Sequence, residues 1–299
     1  MIPNKKHIWL FLFLTVTNIP AQEYLIYAIP DYALPREDLA IEGQFISQVL
    51  WVSFQIEKDG KISWKGKKRP ERTTKLAQGF LLTCAKKVYC IEVLEKKSTQ
   101  ENFLYHLQIL LKEESNLSEV QFDWEYLPPH LASAYNNLLA RVHRILWPRV
   151  LLSATVFPQL DFTPMLRKFP HFPPILQVSD RVVVMLYDRH GPNTSAGCVS
   201  PMSWLRKNIN YLERFNKKQI LLGVPLYGYC FRNGKARAIS RSQFFDIKSH
   251  IKKEDGCYVK ETADKGQCYY PSEEIYSFFQ ESLKKGFAGL AFWRLGFEN

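Results

Sequence analysis

This sequence of 299 residues lacks the spacings that usually mark a metal site. It contains no C-x-x-C and no H-E-x-x-H pattern, and its seven histidines are scattered along the chain. RNP, zinc-finger and basic-zipper patterns are also missing, as are fixed-period repeats and low-complexity tracts. We therefore expect no metal, no cofactor and no nucleic acid as a partner.

Long apolar runs are scarce as well. The clearest covers residues 8–16, follows Lys5 and Lys6, and precedes small residues up to Ala21. This pattern predicts a secretory signal peptide over residues 1–21, with an uncleaved anchor or a buried helix as the alternative. No other segment is long and apolar enough to span a membrane. The remaining chain is therefore expected to be secreted, periplasmic or cell-wall associated.

Acidic residues are fewer than basic ones, 29 against 40, which gives a net charge of +11. Such an excess favours anionic surroundings, although a solvated basic surface is the simpler interpretation. The densest basic cluster, residues 61–75, has the composition of a polar loop. Residues 22–299 are enough for one large α/β domain, and we expect a monomer.

The six cysteines allow disulfides in an exported chain, with 15 ways to pair them. Cys257 and Cys268 flank two short predicted strands around residues 263–266. This pair is positioned to close a hairpin, and buried free thiols are the alternative.

Strand and helix patterns alternate about eight times along the chain. The predicted strands cover residues 24–29, 48–56, 87–94, 120–126, 149–155, 181–187, 219–226 and 287–292. The predicted helices cover residues 72–86, 100–114, 131–146, 202–215, 241–252 and 272–285. This alternation predicts an α/β fold, a TIM (β/α)8 barrel with a small insertion between strands 7 and 8 at about residues 229–271.

The fourth predicted strand carries two carboxylates. Its apolar face has Val120, Phe122 and Trp124, and its other face has Gln121, Asp123 and Glu125. The two carboxylates lie about 7 Å apart at Cα, at the carboxyl end of the strand, where parallel barrels place their chemistry. A satisfied ion pair with a nearby Arg or Lys is the simpler alternative.

Residues 123–126 resemble the end of the D-x-x-D-x-D-x-E signature of family 18 glycoside hydrolases, although Ser118 and Gln121 occupy its first two acidic positions. That family contains chitinases, peptidoglycan N-acetylglucosaminidases and chitinase-like lectins. Three other segments are similar to motifs of the family at strands 6, 7 and 8, namely residues 185–188 (M-x-Y-D), 223–228 (G-x-P-x-Y-G) and 293–296 (W-x-L-G). The last is most similar to the bacterial cell-wall and spore-coat branch. The predicted third strand lacks S-x-G-G, and Tyr229 stands where many members carry Arg.

The resemblance implies roles for eight side chains. Glu125 would be the general acid and base, Asp123 would orient the substrate's acetamido group, and Tyr187 would donate a hydrogen bond to it. The implied substrate-binding residues are Gln121, Met185, Asp188, Tyr227 and Trp293. Gln121 can hydrogen-bond Asp123 but cannot carry a charge, so an altered pH profile is expected. For Tyr187 and Asp188 the alternative is a loop cap, and for Tyr227 and Trp293 it is core packing.

The function implied is an exported glycosidase that hydrolyses chitin-like or peptidoglycan glycans containing β-linked N-acetylglucosamine by a substrate-assisted, retaining mechanism. A lectin that binds such polysaccharides without cleaving them is the first alternative, and a cell-wall protein that binds through its basic surface is the second. The presence of Glu125 favours the enzyme.

Overall fold

Eight parallel strands close into a barrel in the computed structural model, which describes residues 22–32, 35–36, 38–66, 76–163 and 168–298. The strands are β1 (Glu23–Ala28), β2 (Gln48–Ile56), β3 (Ala77–Cys84), β4 (Leu117–Phe122), β5 (Leu151–Val156), β6 (Arg181–Met185), β7 (Ile220–Pro225) and β8 (Gly289–Trp293). Each strand pairs with its neighbours in the chain, and β1 pairs with both β2 and β8. The predicted barrel is confirmed.

The helices lie outside the barrel. They are α1 (Lys87–Glu95), α2 (Lys97–Glu113), α3 (Ala132–Leu146), α4 (Phe172–Ile175), α5 (Met202–Leu212), α6 (Arg241–Phe245) and α7 (Glu273–Leu283). In α3 the buried residues recur at helical spacing, through Tyr135, Leu138, Leu139, Val142 and Leu146. None of the helices in the described ranges is long and apolar enough to cross a membrane. The predicted signal peptide lies outside the described residues.

Alternation along each strand separates two apolar layers. In β1, Leu25 and Tyr27 point into the barrel, where they pack with Leu50, Leu81, Val183, Leu221 and Ala291. Ile26 and Ala28 point outward and join the large cluster beneath the helices. This period of two places every second residue of a strand inside the barrel, so polar side chains at those positions line its interior.

The third predicted strand was wrong. Residues 87–94 lie in α1, whose buried residues Cys90, Val93 and Leu94 have helical spacing, and β3 is formed instead within the predicted helix 72–86. Residues 72–75 fall outside the described ranges. A short apolar run rich in β-branched residues does not distinguish a strand from a buried helix. Residues 87–94, which are helical, are therefore not the place where the third-strand motif S-x-G-G would lie. The observed strand β3, AQGFLLTC, also lacks this motif.

Two further predictions were only partly right. The predicted polar loop at residues 61–75 contains a short strand, and the predicted helix 241–252 is shorter than expected. Ile62–Trp64 pairs antiparallel with β2, and residues 67–75 of the basic cluster are outside the described ranges. The helix ends at Phe245, although Ser240 caps its start through a capping box with Gln243.

The insertion between β7 and β8 is a five-stranded antiparallel sheet. Its strands are Gly228–Arg232, Lys235–Ile239, Lys252–Glu254, Cys257–Glu261 and Gln267–Pro271. A further two-stranded ribbon, Ala40–Ile41 with Gln44–Phe45, follows β1. The predicted insertion is confirmed, and it lies close to the loops that carry the candidate site.

The predicted Cys257–Cys268 disulfide was wrong. The two residues do flank a hairpin, but its register places Cys257 opposite Pro271 and Cys268 opposite Lys260. Cys268 instead faces Cys230 on the neighbouring strand and bonds to it. The other disulfides are Cys198–Cys257 and Cys84–Cys90.

Candidate active site

Asp123 and Glu125 follow β4 directly, at the carboxyl end of the barrel. The backbone N–H of Asp123 still donates to the carbonyl of Leu82 on β3, at 3.0 Å, so the strand geometry extends to this carboxylate. Trp124 points the opposite way and is fully buried among Phe122 and other aromatic rings. The predicted alternation is therefore present, with both carboxylates on the interior face.

The two carboxyl groups share a hydrogen bond, and their environments differ. Burial raises the pKa of Glu125 well above its ordinary value, and the neighbouring charge of Asp123 raises it further. Burial also raises the pKa of Asp123, but hydrogen bonds from Thr155 and Glu125 oppose that rise. The donor from Thr155 lies 2.6 Å from Oδ1 of Asp123. Glu125 is therefore the member of the pair that holds a proton more tightly.

Tyr187 and Asp188 follow β6 and face this pair. Asp188 adopts a φ of +57°, and its Oδ1 accepts hydrogen bonds from the hydroxyls of Tyr227, at 2.6 Å, and Tyr229, at 3.0 Å. Burial raises the pKa of Asp188, and the two tyrosine hydroxyls oppose this rise. The predicted residue Tyr227 therefore acts on Asp188, and Tyr229 supplies a second donor where many family members carry Arg.

These groups open into a cavity of about 230 Å³. It is lined by Tyr27, Leu81, Asp123, Glu125, Thr155, Met185, Tyr187, Asp188 and Trp293. The rings of Tyr27 and Trp293 lie 5.1 Å apart and form an aromatic wall. Six of the eight predicted site residues thus meet in one cavity. Among the residues that the structure describes, no three His, Cys, Asp or Glu side chains are grouped as a metal site.

Gln121 lies one layer deeper and is fully buried. Its Oε1 accepts from the hydroxyl of Tyr27 at 2.6 Å, and its Nε2 donates to Ser153 at 2.9 Å. The expected hydrogen bond to Asp123 is absent from the contacts of either side chain, because Thr155, two residues beyond Ser153 on β5, takes the place beside Asp123. Gln121 therefore supports the floor of the cavity and does not line it.

A buried ion pair lies below Gln121. Glu119 contacts Arg181 through a hydrogen bond of 3.2 Å from Nε, and both side chains are almost completely buried. Gln48 donates to the other oxygen of Glu119 at 2.7 Å, and Ser153 links Glu119 to Gln121. This network fills the amino-terminal half of the barrel interior, away from the cavity.

Sequence reasoning missed Thr155 as a partner of the site. Its signal was weak: Ser153 and Thr155 are alternate polar residues in a strand that is otherwise apolar. Tyr126 was quoted only as part of the motif, yet it hydrogen-bonds Glu125 and adopts a φ of +58° that turns the chain after the carboxylate.

The chain is similar to known proteins in sequence and in fold. The profile of the family described as Glycosyl hydrolases family 18 matches residues 89–298. The uncharacterized glycosylase YvbX of Bacillus subtilis (strain 168) is 23% identical over 225 residues, with 69% of this chain and 65% of that protein covered. The cortical fragment-lytic enzyme of Bacillus anthracis is 22% identical over 333 residues, covering 98% of this chain and 72% of that enzyme.

The chain therefore spans about two thirds of the B. subtilis protein and somewhat more of the B. anthracis enzyme. Among solved structures, the chitinase of Chromobacterium violaceum ATCC 12472 superposes with a TM-score of 0.78 at 16% identity. That match covers 93% of this chain and 96% of the chitinase. At such low identity the likeness supports the barrel fold alone.

Proposed function

Because this chain belongs to family 18 of the glycosyl hydrolases, we propose that it hydrolyses β-linked glycans of N-acetylglucosamine by a substrate-assisted, retaining mechanism. The observation that carries the proposal is the Asp123–Glu125 pair, two hydrogen-bonded carboxyls in which burial and the neighbouring Asp123 raise the pKa of Glu125 well above its ordinary value. Two adjacent carboxyls with pKa values pushed apart are the arrangement that acid–base catalysis requires. The pair also opens into a cavity with an aromatic wall that suits a sugar ring.

In the first step, the acetamido carbonyl of the substrate attacks the anomeric carbon. Burial raises the pKa of the Tyr187 hydroxyl well above its ordinary value, so it stays protonated and donates a hydrogen bond to that oxygen. Asp123 accepts a hydrogen bond from the acetamido N–H and stabilises the positive charge of the resulting oxazolinium. Glu125 protonates the glycosidic oxygen as its bond to the anomeric carbon breaks.

In the second step, Glu125 is a carboxylate and accepts a proton from water. The water oxygen bonds to the anomeric carbon, the oxazolinium ring opens, and the acetamido group is restored. Two displacements at one carbon leave the configuration retained. Trp293 packs beneath the ring, while Asp188 is positioned by two tyrosines to accept from a sugar hydroxyl.

The proposed location is outside the cytoplasm, in contact with the cell wall. All six cysteines are paired in three disulfides, which is typical of oxidising compartments. The N-terminal signal pattern and the similarity to the cortical fragment-lytic enzyme of Bacillus anthracis support the same location. A cell-wall location makes peptidoglycan the preferred candidate over chitin.

A non-catalytic lectin is the second candidate. Ser118 and Gln121 favour it, because two acidic positions of the family signature are replaced there. Ser118, however, is engaged with the backbone of Gln78 and with Gln48 at the amino end of the barrel, remote from the cavity. The retained Asp123–Glu125 pair makes the hydrolase the better supported function.

The test compares wild type with Glu125→Gln on a fluorogenic chitobioside and on purified peptidoglycan. We expect the wild type to turn over at least one of them and the variant to lose roughly a hundredfold or more in kcat/KM. Glu281→Gln, an exposed substitution on α7, is the matched control and should retain full activity. Glycan binding without turnover by wild type and variant alike would instead establish the lectin.

A further inference from the structure

A second cavity of about 210 Å³ adjoins the first, and the two share Glu125, Met185, Tyr187 and Asp188. We call it the outer cleft and define it by Tyr126, Phe157, Phe162, Thr163 and residues 189–194. The rings of Phe157 and Phe162 stack at 5.5 Å, and Tyr126 packs against Phe157 at 5.4 Å. Phe157 is buried between them, so the exposed Tyr126 and the partly exposed Phe162 are the rings that can pack against the C–H face of a sugar.

The direction of proton transfer decides which sugar occupies the outer cleft. The ring that undergoes substitution lies over Asp123, Tyr187 and Trp293, since these groups serve its acetamido group and its apolar face. Glu125 protonates the oxygen that leaves, so the leaving sugar lies beyond Glu125. The outer cleft begins at Glu125 and contains neither Asp123 nor Trp293. It is therefore the leaving-group side of the site.

Of the described residues that line the outer cleft, Arg189 is the one cation, and none of those that line the first cavity is cationic. Its guanidinium is partly exposed, and no carboxylate or carbonyl of the described residues is bonded to it. Its backbone is fixed: the N–H donates to Val199 at 3.0 Å. The loop that follows is closed by hydrogen bonds between Gly191 and Thr194, and Cys198 ties its end to the insertion. The backbone that carries this unpaired side chain is thus fixed at the wall of the cleft.

A neutral chitin sugar in this cleft would leave the guanidinium without a counter-charge. A sugar that carries a carboxylate would pair with it in a charge-assisted, bidentate contact. Asp188 also lines the outer cleft, but its carboxylate accepts hydrogen bonds from Tyr227 and Tyr229. Asp123 lies on the other side of Glu125. The cleft therefore holds a cation with no carboxylate of the described residues bonded to it, which fits a glycan in which a neutral sugar is followed by an anionic one.

We infer that Arg189 determines specificity by binding a carboxylate on the leaving sugar, so that the substrate is an alternating glycan of N-acetylglucosamine and a carboxylate-bearing amino sugar. The inference rests on the proposed function and narrows it to peptidoglycan. The carboxylate is either the lactyl group of the muramic acid ring or a terminus of the peptide attached to that group. In both cases the bond cleaved leaves N-acetylglucosamine as the new reducing end.

The experiment measures kcat/KM on four soluble tetrasaccharides. These are chitotetraose, the peptide-free peptidoglycan tetrasaccharide, its lactyl methyl amide, and the same glycan with stem peptides. The proteins are wild type, Arg189→Gln, Arg189→Lys and, as a matched control, Arg149→Gln. Arg149 is exposed and precedes β5 at the opposite end of the barrel. Borohydride reduction and mass spectrometry of the products identify the bond cleaved.

We expect the wild type to prefer a carboxylate-bearing glycan over chitotetraose, and Arg189→Gln to lower that preference by roughly tenfold. Arg189→Lys should recover part of it, Arg149→Gln should not change it, and added salt should weaken it. A preference for the peptide-free glycan that is lost in the methyl amide identifies the lactyl carboxylate. A preference for the peptide-bearing glycan identifies the peptide carboxylate.

An unchanged preference in Arg189→Gln, or muramic acid as the new reducing end, would overturn the inference while leaving the hydrolase intact. Absence of turnover on all four glycans would overturn the proposed function instead. In that case calorimetric titration of the same glycans into wild type and Arg189→Gln decides the role of Arg189. Equal Kd values for the anionic glycan would then refute it.

Discussion

The hydroxyl of Thr155 donates a hydrogen bond of 2.6 Å to Asp123 across the ends of β4 and β5. Two residues earlier on the same strands, Gln121 and Ser153 are paired in register and make a hydrogen bond of 2.9 Å. Asp123 is therefore the last member of a polar ladder inside the barrel. Its charge is stabilised by the hydroxyl of Thr155, and one layer below it this chain has Gln121 where the family signature has a further carboxyl.

Replacing Thr155 with Val, which is similar in shape but has no hydroxyl, should raise the pKa of Asp123. The lost hydrogen bond favours the charged form, so its removal favours protonation. Because Asp123 must be ionised to stabilise the oxazolinium, the acidic limb of the kcat/KM profile should move to higher pH by about half a unit to one unit. Thr155→Ser keeps the hydroxyl and should keep the limb in place. Coincident acidic limbs for wild type and Thr155→Val would show that this contact does not set the charge of Asp123.

Gln121→Asp restores the family residue but places a carboxyl in a fully buried position beside Glu119. Burial and the neighbouring carboxyl should raise the pKa of the new group in the folded state above its unfolded value. A carboxyl with a raised folded pKa destabilises the fold as pH rises above the unfolded pKa. We expect a loss of about 1–3 kcal/mol at pH 8 and a smaller loss at pH 5.

Urea unfolding at the two pH values measures this difference, and Gln121→Asn controls for altered packing without a charge. Equal losses at both pH values would contradict the expected titration. The activity profile should change as well, since the new carboxyl lies one layer below Asp123. A pH profile identical to that of the wild type would indicate that the two positions are not coupled.

Much of the candidate site could be predicted from the sequence because two simple periodicities place it. Alternation along β4 puts Asp123 and Glu125 on one face, and the alternation of strand and helix brings the ends of β4, β6 and β8 to one end of a barrel. The bounds of β2 agree with the predicted strand 48–56 for the same reason. The local patterns of β2 and β4 were therefore interpreted correctly, whereas the pattern of residues 87–94 was not.

The contacts that tune the site depend on register, which sequence patterns do not determine. Thr155 reaches Asp123 because β4 and β5 pair in one particular alignment, and Tyr229 reaches Asp188 because the insertion folds back over the barrel. The same limit explains the wrong disulfide, since a shift in hairpin register places Cys257 and Cys268 out of reach of one another. The short apolar run at residues 87–94 is compatible with a strand and with a buried helix. The burial of Cys90, Val93 and Leu94 against the rest of the protein stabilises the helix.

The disulfide pattern itself can be tested. Proteolysis without reduction should release peptides that link Cys198 to Cys257, and none that link Cys257 to Cys268. Replacing Cys198 and Cys257 together with Ala should lower the free energy of unfolding by about 4 kcal/mol, since a loop of 59 residues is opened. Replacing Cys84 and Cys90, which close a loop of only six residues, should cost about 2 kcal/mol. Equal losses for the two double variants would contradict this dependence on loop length.

The buried pair Glu119–Arg181 should be far more sensitive to single substitution than an exposed pair. Arg181→Met leaves the carboxylate of Glu119 without a counter-charge in the barrel interior, and we expect a loss of about 3–5 kcal/mol in the free energy of unfolding. Glu119→Gln should cost less, because the guanidinium keeps its ion pair with Glu23. Adding both changes should recover part of the loss, since the carboxylate that then lacks a partner, Glu23, is partly exposed to water. The control is Lys207→Met, which breaks an exposed 2.8 Å pair with Asp161 and should cost less than about 1 kcal/mol. Urea unfolding of the wild type, the two single variants and the double variant gives a thermodynamic cycle for the buried pair. If Arg181→Met costs no more than Lys207→Met, the interior of the barrel must admit enough water to solvate Glu119, and the same water would reach the layer below Asp123.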